Sequence, residues 1–418
     1  MTIIPNSGLD RFSTLMRTVF QAACFRGLVL GGLLQVALQN AGAVKFSISD
    51  AAKFTNLVNT NAAFITNVTI NSKIEGPVWI PNGQYLLFSD MGNNKLKKLV
   101  PPGTLTDFLL PPAKTIYNGN YLDLQERQLS CECGSNGLQV VITTNGVATP
   151  LVTSYYGLKF YSPNDLTVKS DGSIWFTDPG YDSGLPLPPP SGPSVPAGFQ
   201  PGLYVYRFYE TNGNATVSVV ATTVSKPNGI CFSPDETKLY VADNGIYANS
   251  GIIRVFNVTS SNTLTGGSVF CTVSTGIADG IRCDVAGNIW AASGDGVEIY
   301  APDGHLIGKI VLNTLSNICF GGPEYKTIYM TGQPNVCSFP VLVAGAVSIK
   351  KLRVSAAGTN LCVSWPAPST GFGLQKSDSL GNGAVWTSVT DTLQVTNGLN
   401  QLSVFPTNAA TFFRLLLN

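Results

Sequence analysis

Six acidic or amide residues recur through the chain, each just ahead of a short apolar run: Glu75, Asn118, Asn164, Asn228, Asp279 and Asn317. Successive members lie 43, 46, 64, 51 and 38 residues apart. Brought together by one fold, they would present two carboxylates and four carboxamides, a set of hard oxygen donors. Such donors suit Ca²⁺, Mg²⁺ or Mn²⁺ better than zinc, which favours Cys and His. Converging carboxylates also need a cation or counter-charge to be tolerated away from water. Each residue taken alone has a plainer role open to it, because Asn and Asp close turns with their own side chains. What favours the ring is that all six leaders are acidic or amide. Other chemistries find little support. No G-x-S-x-G nucleophile motif is present, and the single histidine, His305, sits in the turn sequence "PDGHL".

The elements that would position these residues are legible in the same intervals. The stretch "NDLTVKSDGSIWFTD" from Asn164 has a polar leader, an apolar strand, an Asp171-Gly172 turn and a second strand. Its plan recurs in "EGPVWIPNGQYLLFSD" from Glu75, "NGNYLDLQERQLSCE" from Asn118 and "NGICFSPDETKLYVAD" from Asn228. It recurs again in "DGIRCDVAGNIWAAS" from Asp279 and "NICFGGPEYKTIYMT" from Asn317. Repeats of roughly 40–50 residues built from several strands mark a β-propeller, and six copies predict six blades. The longest interval holds "SGLPLPPPSGPSVPAGFQPG", whose prolines cannot continue a ladder and predict a loop. The segment before Glu75, with "AAFITNVTI", is expected to add a strand to the last blade and close the ring.

The expected class is therefore all-β: a six-bladed β-propeller over residues 44–346, followed by a small β-sandwich domain over 347–418. That last part carries short alternating strands between Gly, Asn and Pro clusters, with no histidine. Residues 1–43 read as a signal peptide: Arg11, Arg17 and Arg26, then "GLVLGGLLQVAL", then "AGA" ending at Ala43. The apolar run is short for a membrane span, so the expectation is cleavage and export to periplasm or medium. A start at Met16 would bring the segment to a more usual length. Charged residues are 12% of the chain and the formal net charge is +1, which gives no electrostatic case for nucleic acid. The nine cysteines do not form a disulfide framework: Cys231, Cys283 and Cys319 occupy equivalent or adjacent strand positions expected to be buried thiols, and Cys131 and Cys133 lack zinc spacing.

The motifs "EGPVW", "SPNDLTVKSDGSIWFTDP", "PNGICFSPDETKLYVAD" and "DGIRCDVAGNIWAAS", in that order, resemble the gluconolactonase family, which includes regucalcin and luciferin-regenerating enzyme homologues. The resemblance runs over about residues 54–345. It implies a propeller binding one divalent cation, usually calcium with Mg²⁺, Mn²⁺ or Zn²⁺ as alternatives, and hydrolysis of a lactone. Carried over position by position, it makes Glu75, Asn164, Asn228 and Asp279 the metal ligands, with Asp279 also the general base. Asn118 in the ring, and Asp178 and Tyr181 beyond the third repeat's second strand, become candidates for substrate contact. For Asp178 a structural strand-end role is equally open. Two departures from the family pattern stand out: Cys133 in "CEC" where relatives often carry "CEH", and Glu126 near a usual Gly. The partner implied is a small lactone, with a sugar lactone first. Acyl-homoserine lactones, pantolactone-like lactones and organophosphate esters are alternatives, as is a non-catalytic secreted propeller with structural calcium.

Overall fold

The computed structural model describes residues 44–181, 184, 196–245, 251–347, 352–357, 360–366, 372–379, 384–396, 399–405 and 411–417. The expected signal segment and most of the proline-rich insert lie outside the described residues.

The repeats fold as six antiparallel sheets, one per blade, five of four strands and one, blade 5, of five. Their innermost strands are β1 (Ile74–Ile80), β2 (Tyr117–Leu122), β3 (Leu166–Val168), β4 (Pro227–Phe232), β5 (Ile281–Cys283) and β6 (Leu315–Gly321). Each packs on the next, and β6 returns to β1. The inner strands are buried almost throughout, as in β4, whereas an outer strand such as Asn214–Ala221 stays largely open. That difference follows from position: a strand covered on both faces has no place for a solvent-facing alternation. The turn expected at Asp171-Gly172 forms, with Gly172 at φ 85° and its amide donating to the Lys169 carbonyl at 2.9 Å. Glu126 takes φ 61°, the left-handed backbone that Gly adopts freely. The cost of about 1–2 kcal/mol for a side chain there is partly offset by a hydrogen bond from the Asn82 carboxamide to its carboxylate.

The ring closes as the sequence suggests. Ile65–Thr69 pairs with Asn335–Pro340 as the outer strand of blade 6. Beyond the expectation, Lys45–Ile48 adds a fifth strand to blade 5. Between the two runs helix α1 (Ala51–Leu57), capped by the Asp50 side chain on the Lys53 amide. Its Phe54 and Leu57 bury into the same cluster as Ile307, Ile310 and Phe339.

The hydrophobic core is not central. It consists of one apolar wedge at each blade interface, for example Ile74, Trp79 and Phe88 against Cys319, Tyr329 and Val336 between blades 1 and 6. Another packs Trp175 edge-on against Phe232, centroids 5.3 Å apart, between blades 3 and 4. Each large side chain fully buried there contributes about 1.5–3 kcal/mol. All eight cysteines among the described residues are free thiols, and seven are buried, Cys231, Cys283 and Cys319 among them.

After blade 6, residues 341–347 run along the end of the barrel where the inner strands finish. The Gly345 amide donates to Tyr325 and that of Ala346 to Cys283. Two further sheets follow. Gln394–Thr396, Leu399–Val404, Asn360–Pro366 and Arg353–Ala357 form one; Thr387–Ser388, Phe372–Ser377 and Phe412–Leu417 form the other. They share a small core of Val363, Trp365, Leu374 and Leu402, which is a β-sandwich.

Candidate active site

Each of the six leaders lies at the head of its inner strand, so the propeller gathers them at one mouth of the central channel. Glu75 is 4% exposed, Asn118 3%, Asn164 7%, Asn228 4% and Asn317 3%, while Asp279 is partly open to the mouth. The strands can approach this closely because the residue after a leader is often glycine. Gly76 adopts φ 52°, and a Cβ there would lie 2.1 Å from the Asn118 carbonyl oxygen.

Two carboxylates face each other across this mouth. Burial pushes Glu75 above the usual carboxylate range, opposed by the charge of Lys73, by the Gly76 amide and by the Asn317 carboxamide. The last two donate to Glu75 Oε2 at 3.2 and 3.3 Å. Asp279 is held well above the usual range by burial and then by the negative charge of Glu75, with Lys73 and a hydrogen bond from Asn228 opposing. The remaining leaders divide by what their carboxamides do. Asn317 is committed, its Oδ1 accepting from the Ile318 amide at 2.8 Å and its Nδ2 bound to Glu75. Asn164 has its backbone tied down, the amide to Thr177 at 2.8 Å and the carbonyl to the Gly119 amide at 2.7 Å. Its carboxamide makes no hydrogen bond among the described residues.

Among the described residues no three His, Cys, Asp or Glu side chains are grouped to hold a metal. The donor set here is of another kind, two carboxylates with neutral carboxamides. Its chemistry fits a hard divalent cation, which would satisfy the buried Glu75 and the partly open Asp279, whose proton affinity the Glu75 charge raises. Glu75, Asn164, Asn228 and Asp279 are the residues that could hold it.

Around the mouth the other sequence candidates separate. Tyr181 lies on the same face: its hydroxyl receives a hydrogen bond from Asn244 Nδ2 at 3.2 Å, and Lys226 Nζ sits 3.8 Å above its ring. Asp178 is fully buried. Its two oxygens accept the backbone amides of Tyr161 at 2.9 Å and Ser162 at 2.5 Å, and burial pushes it up to about 7 despite those bonds. That geometry gives Asp178 the strand-end framework role, the second of the two open to it in the sequence. Cys133, where relatives often carry His, is buried, with its amide donating to the Ile116 carbonyl at 2.8 Å. His305 is at the opposite end of blade 5, exposed and bonded to Asp303 and Lys53.

A family model described as the SMP-30/gluconolactonase/LRE-like region matches residues 74–333, a span that contains the whole ring. The chain belongs to this family. It is 30% identical over 284 residues to the gluconolactonase of Zymomonas mobilis, covering 63% of this chain and 76% of that protein. It is 28% identical over 339 residues to a lactonohydrolase of Aspergillus oryzae, covering 72% and 74%. Among solved structures it resembles a gluconolactonase of Xanthomonas campestris with TM-score 0.62 and 30% identity, covering 73% of this chain and 99% of that one. As a member of the gluconolactonase family, the protein is a lactonase-type hydrolase.

Three features of the site escaped the sequence reading. Asn120 is fully buried and binds Gly76, Ser89, Gln128 and Ser130 behind the ring. A β-bulge between Tyr117 and Asn120 interrupts the simple alternation there, so strand period alone does not place it. Lys73, two residues ahead of Glu75, acts on both carboxylates. The ion pair between Asp165 and Arg282 joins repeats 117 residues apart, and nothing local announces it.

Proposed function

We propose that the protein hydrolyses a sugar lactone of the aldonolactone type at the channel mouth, using a divalent cation, Ca²⁺ in the first place, held by Glu75, Asn164, Asn228 and Asp279. The observation that carries the reading is the meeting of Glu75 and Asp279, the charge of the first raising the proton affinity of the second, with carboxamides as their companions. When bound, the cation would supply the positive charge that polarises a carbonyl and stabilises developing oxyanion charge. Hydrolysis adds water oxygen to the lactone carbonyl carbon and breaks the ring C–O bond, giving the hydroxy acid. Asp279 is the group assigned to accept the proton from water and return it to the departing ring oxygen. Its position suits proton transfer, because it is the member of the ring most open to the mouth and Asn228 holds its carboxylate in place. Tyr181, backed by Asn244 and Lys226, and Asn118 are the groups offered to substrate hydroxyls. A lactone is a reactive ester, so this modest set suffices without a nucleophilic serine.

A panel of aldonolactones and acyl lactones, assayed with Ca²⁺, Mn²⁺, Zn²⁺ and with chelator, tests the proposal. Aldonolactone opening that disappears with chelator and returns with Ca²⁺ is expected. Hydrolysis indifferent to chelator removes the cation, and activity on acyl lactones alone removes the sugar substrate. Cation binding without turnover of any lactone would make the propeller a binding module. We also propose export after removal of residues 1–43. N-terminal sequencing of exported protein should begin at Val44, and retained Met1 or Met16 overturns that.

A further inference from the structure

Directly beneath the ring, one buried ion pair crosses the channel. Arg282 Nη1 lies 2.9 Å from Asp165 Oδ2, with side chains 9% and 1% exposed. Arg282 Nη2 lies 3.5 Å from Asp165 Oδ1. Both ends are tied to backbone: Nη1 also donates to the Ile281 carbonyl at 2.8 Å, and Oδ1 accepts from the Leu166 amide at 2.9 Å. The guanidinium sits near the channel axis, 5.9 Å from the Tyr121 ring centre. It borders one cavity together with Val78, Tyr121 and Cys319, from blades 1, 2 and 6.

The repeat itself marks this pair as unusual. The residue after the leader is Gly76, Gly119, Gly229 and Gly280 in blades 1, 2, 4 and 5, but Asp165 in blade 3 and Ile318 in blade 6. Room for Asp165 is made next door: a Cβ on Gly119 would lie 2.6 Å from Asp165 Oδ1. Stability alone gives a weak reason for such a pair, since a buried ion pair often does no better than apolar side chains of equal volume. Its geometry gives a stronger one. Asp165 adjoins Asn164, and Arg282 follows Asp279 by three residues, so the pair joins the two strands that carry those groups. Guanidinium and carboxylate form a planar fork that holds distance and orientation together.

We propose that Asp165 and Arg282 form a crossbar that fixes the separation of Asn164 and Asp279 and thereby sets which divalent cation the ring prefers. The proposal rests on the cation-binding reading above. Its physical basis is the difference between the ions: Mg²⁺ demands near-octahedral oxygens at about 2.0–2.1 Å, whereas Ca²⁺ accepts 2.3–2.6 Å and looser geometry. A ring of fixed width discriminates between them, and one free to contract discriminates less. Asp165 also acts as a negative charge on Glu75 and Asp279, and its partner Arg282 carries the opposite charge. Removing both charges together therefore leaves the net charge near the ring unchanged and isolates the width.

The test is calorimetric titration of the purified protein, without lactone, with Ca²⁺ and separately with Mg²⁺. The unaltered protein, the double variant D165N/R282Q and Arg282→Lys are compared, with melting curves to establish folding. The expected result is a ratio of the two Kd values that moves at least about tenfold toward unity in the double variant. Arg282→Lys, which keeps the charge but loses the fork, should fall between. A folded double variant whose ratio stays within about twofold of the unaltered protein overturns the crossbar. If the double variant does not fold, an unchanged ratio in Arg282→Lys overturns it equally. Binding of neither ion by the unaltered protein removes the ring reading and the crossbar with it, whereas binding with unchanged preference removes the crossbar alone.

Discussion

The two ends of the channel are built from the same six strands and could hardly differ more. At the end where the strands begin, oxygen donors converge and two carboxylates repel each other. At the end where they finish, Trp79, Leu122 and Phe320 line a mostly apolar cavity, bordered by Arg282 and by Ala346 and Val347 of the segment leading out of the propeller. The Arg282–Asp165 pair lies between. At the first end charges are brought together at a cost that a ligand could relieve; at the second they are absent or already paired. A repeated fold thus keeps reactivity in one layer of residues and cohesion in the next, only three or four positions along each strand.

Substitutions at the two ends should separate cleanly on that view. The largest effect expected is at Asp279→Asn, where loss of the proposed proton acceptor should lower kcat about 10²–10⁴-fold and saturating cation should not restore it. Retained activity there would move the base elsewhere. Trp79→Ala at the other end removes a ring stacked on Tyr329, with centroids 5.3 Å apart. It should cost about 3–5 kcal/mol of stability, read as a lower melting temperature, with kcat of the surviving folded protein little changed. A comparable fall in kcat would mean that the ends are not independent.

Asn164→Ala should weaken cation binding first, with activity recovered by excess cation, since mass action offsets lost affinity but not a lost base. Unchanged cation affinity would return Asn164 to a turn residue. A pH series sharpens the contrast further. Glu75 and Asp279 are raised, and Asp178 to about 7, so folding takes up protons. The stability these groups contribute is full below the ordinary carboxylate range and is lost as pH rises through their raised values. Without cation the melting temperature should therefore fall between about pH 4 and 8, and the gain from added Ca²⁺ should be larger at pH 8 than at pH 5. A cation gain that does not vary with pH would exclude the ring carboxylates as its source. The smallest effect belongs to His305→Ala, an exposed turn far from the mouth, expected within about 0.5 kcal/mol in stability and silent in activity.

The chain alone determined the repeat, and with it the blades, the closing strand Ile65–Thr69, the following sandwich and the six leaders. Those features are written in local pattern: alternation, turn chemistry and interval, each read within a few tens of residues. The strand at Lys45–Ile48 and helix α1 fall outside the repeat, and no periodic partner in sequence announced them. What a leader does was decided only in three dimensions. Asn317 and Asn164 look alike in sequence, yet one carboxamide is spent on Glu75 and its own strand while the other makes no hydrogen bond among the described residues. Asp178 and Asp279 are both strand-end carboxylates, and only packing turns the first onto backbone amides and sets the second opposite another charge. Asp165 and Arg282 find each other across the channel because closing a ring brings distant strands to one axis. Hydrogen-bond partners and opposing charges are properties of that closure, and short-range pattern carries no record of them.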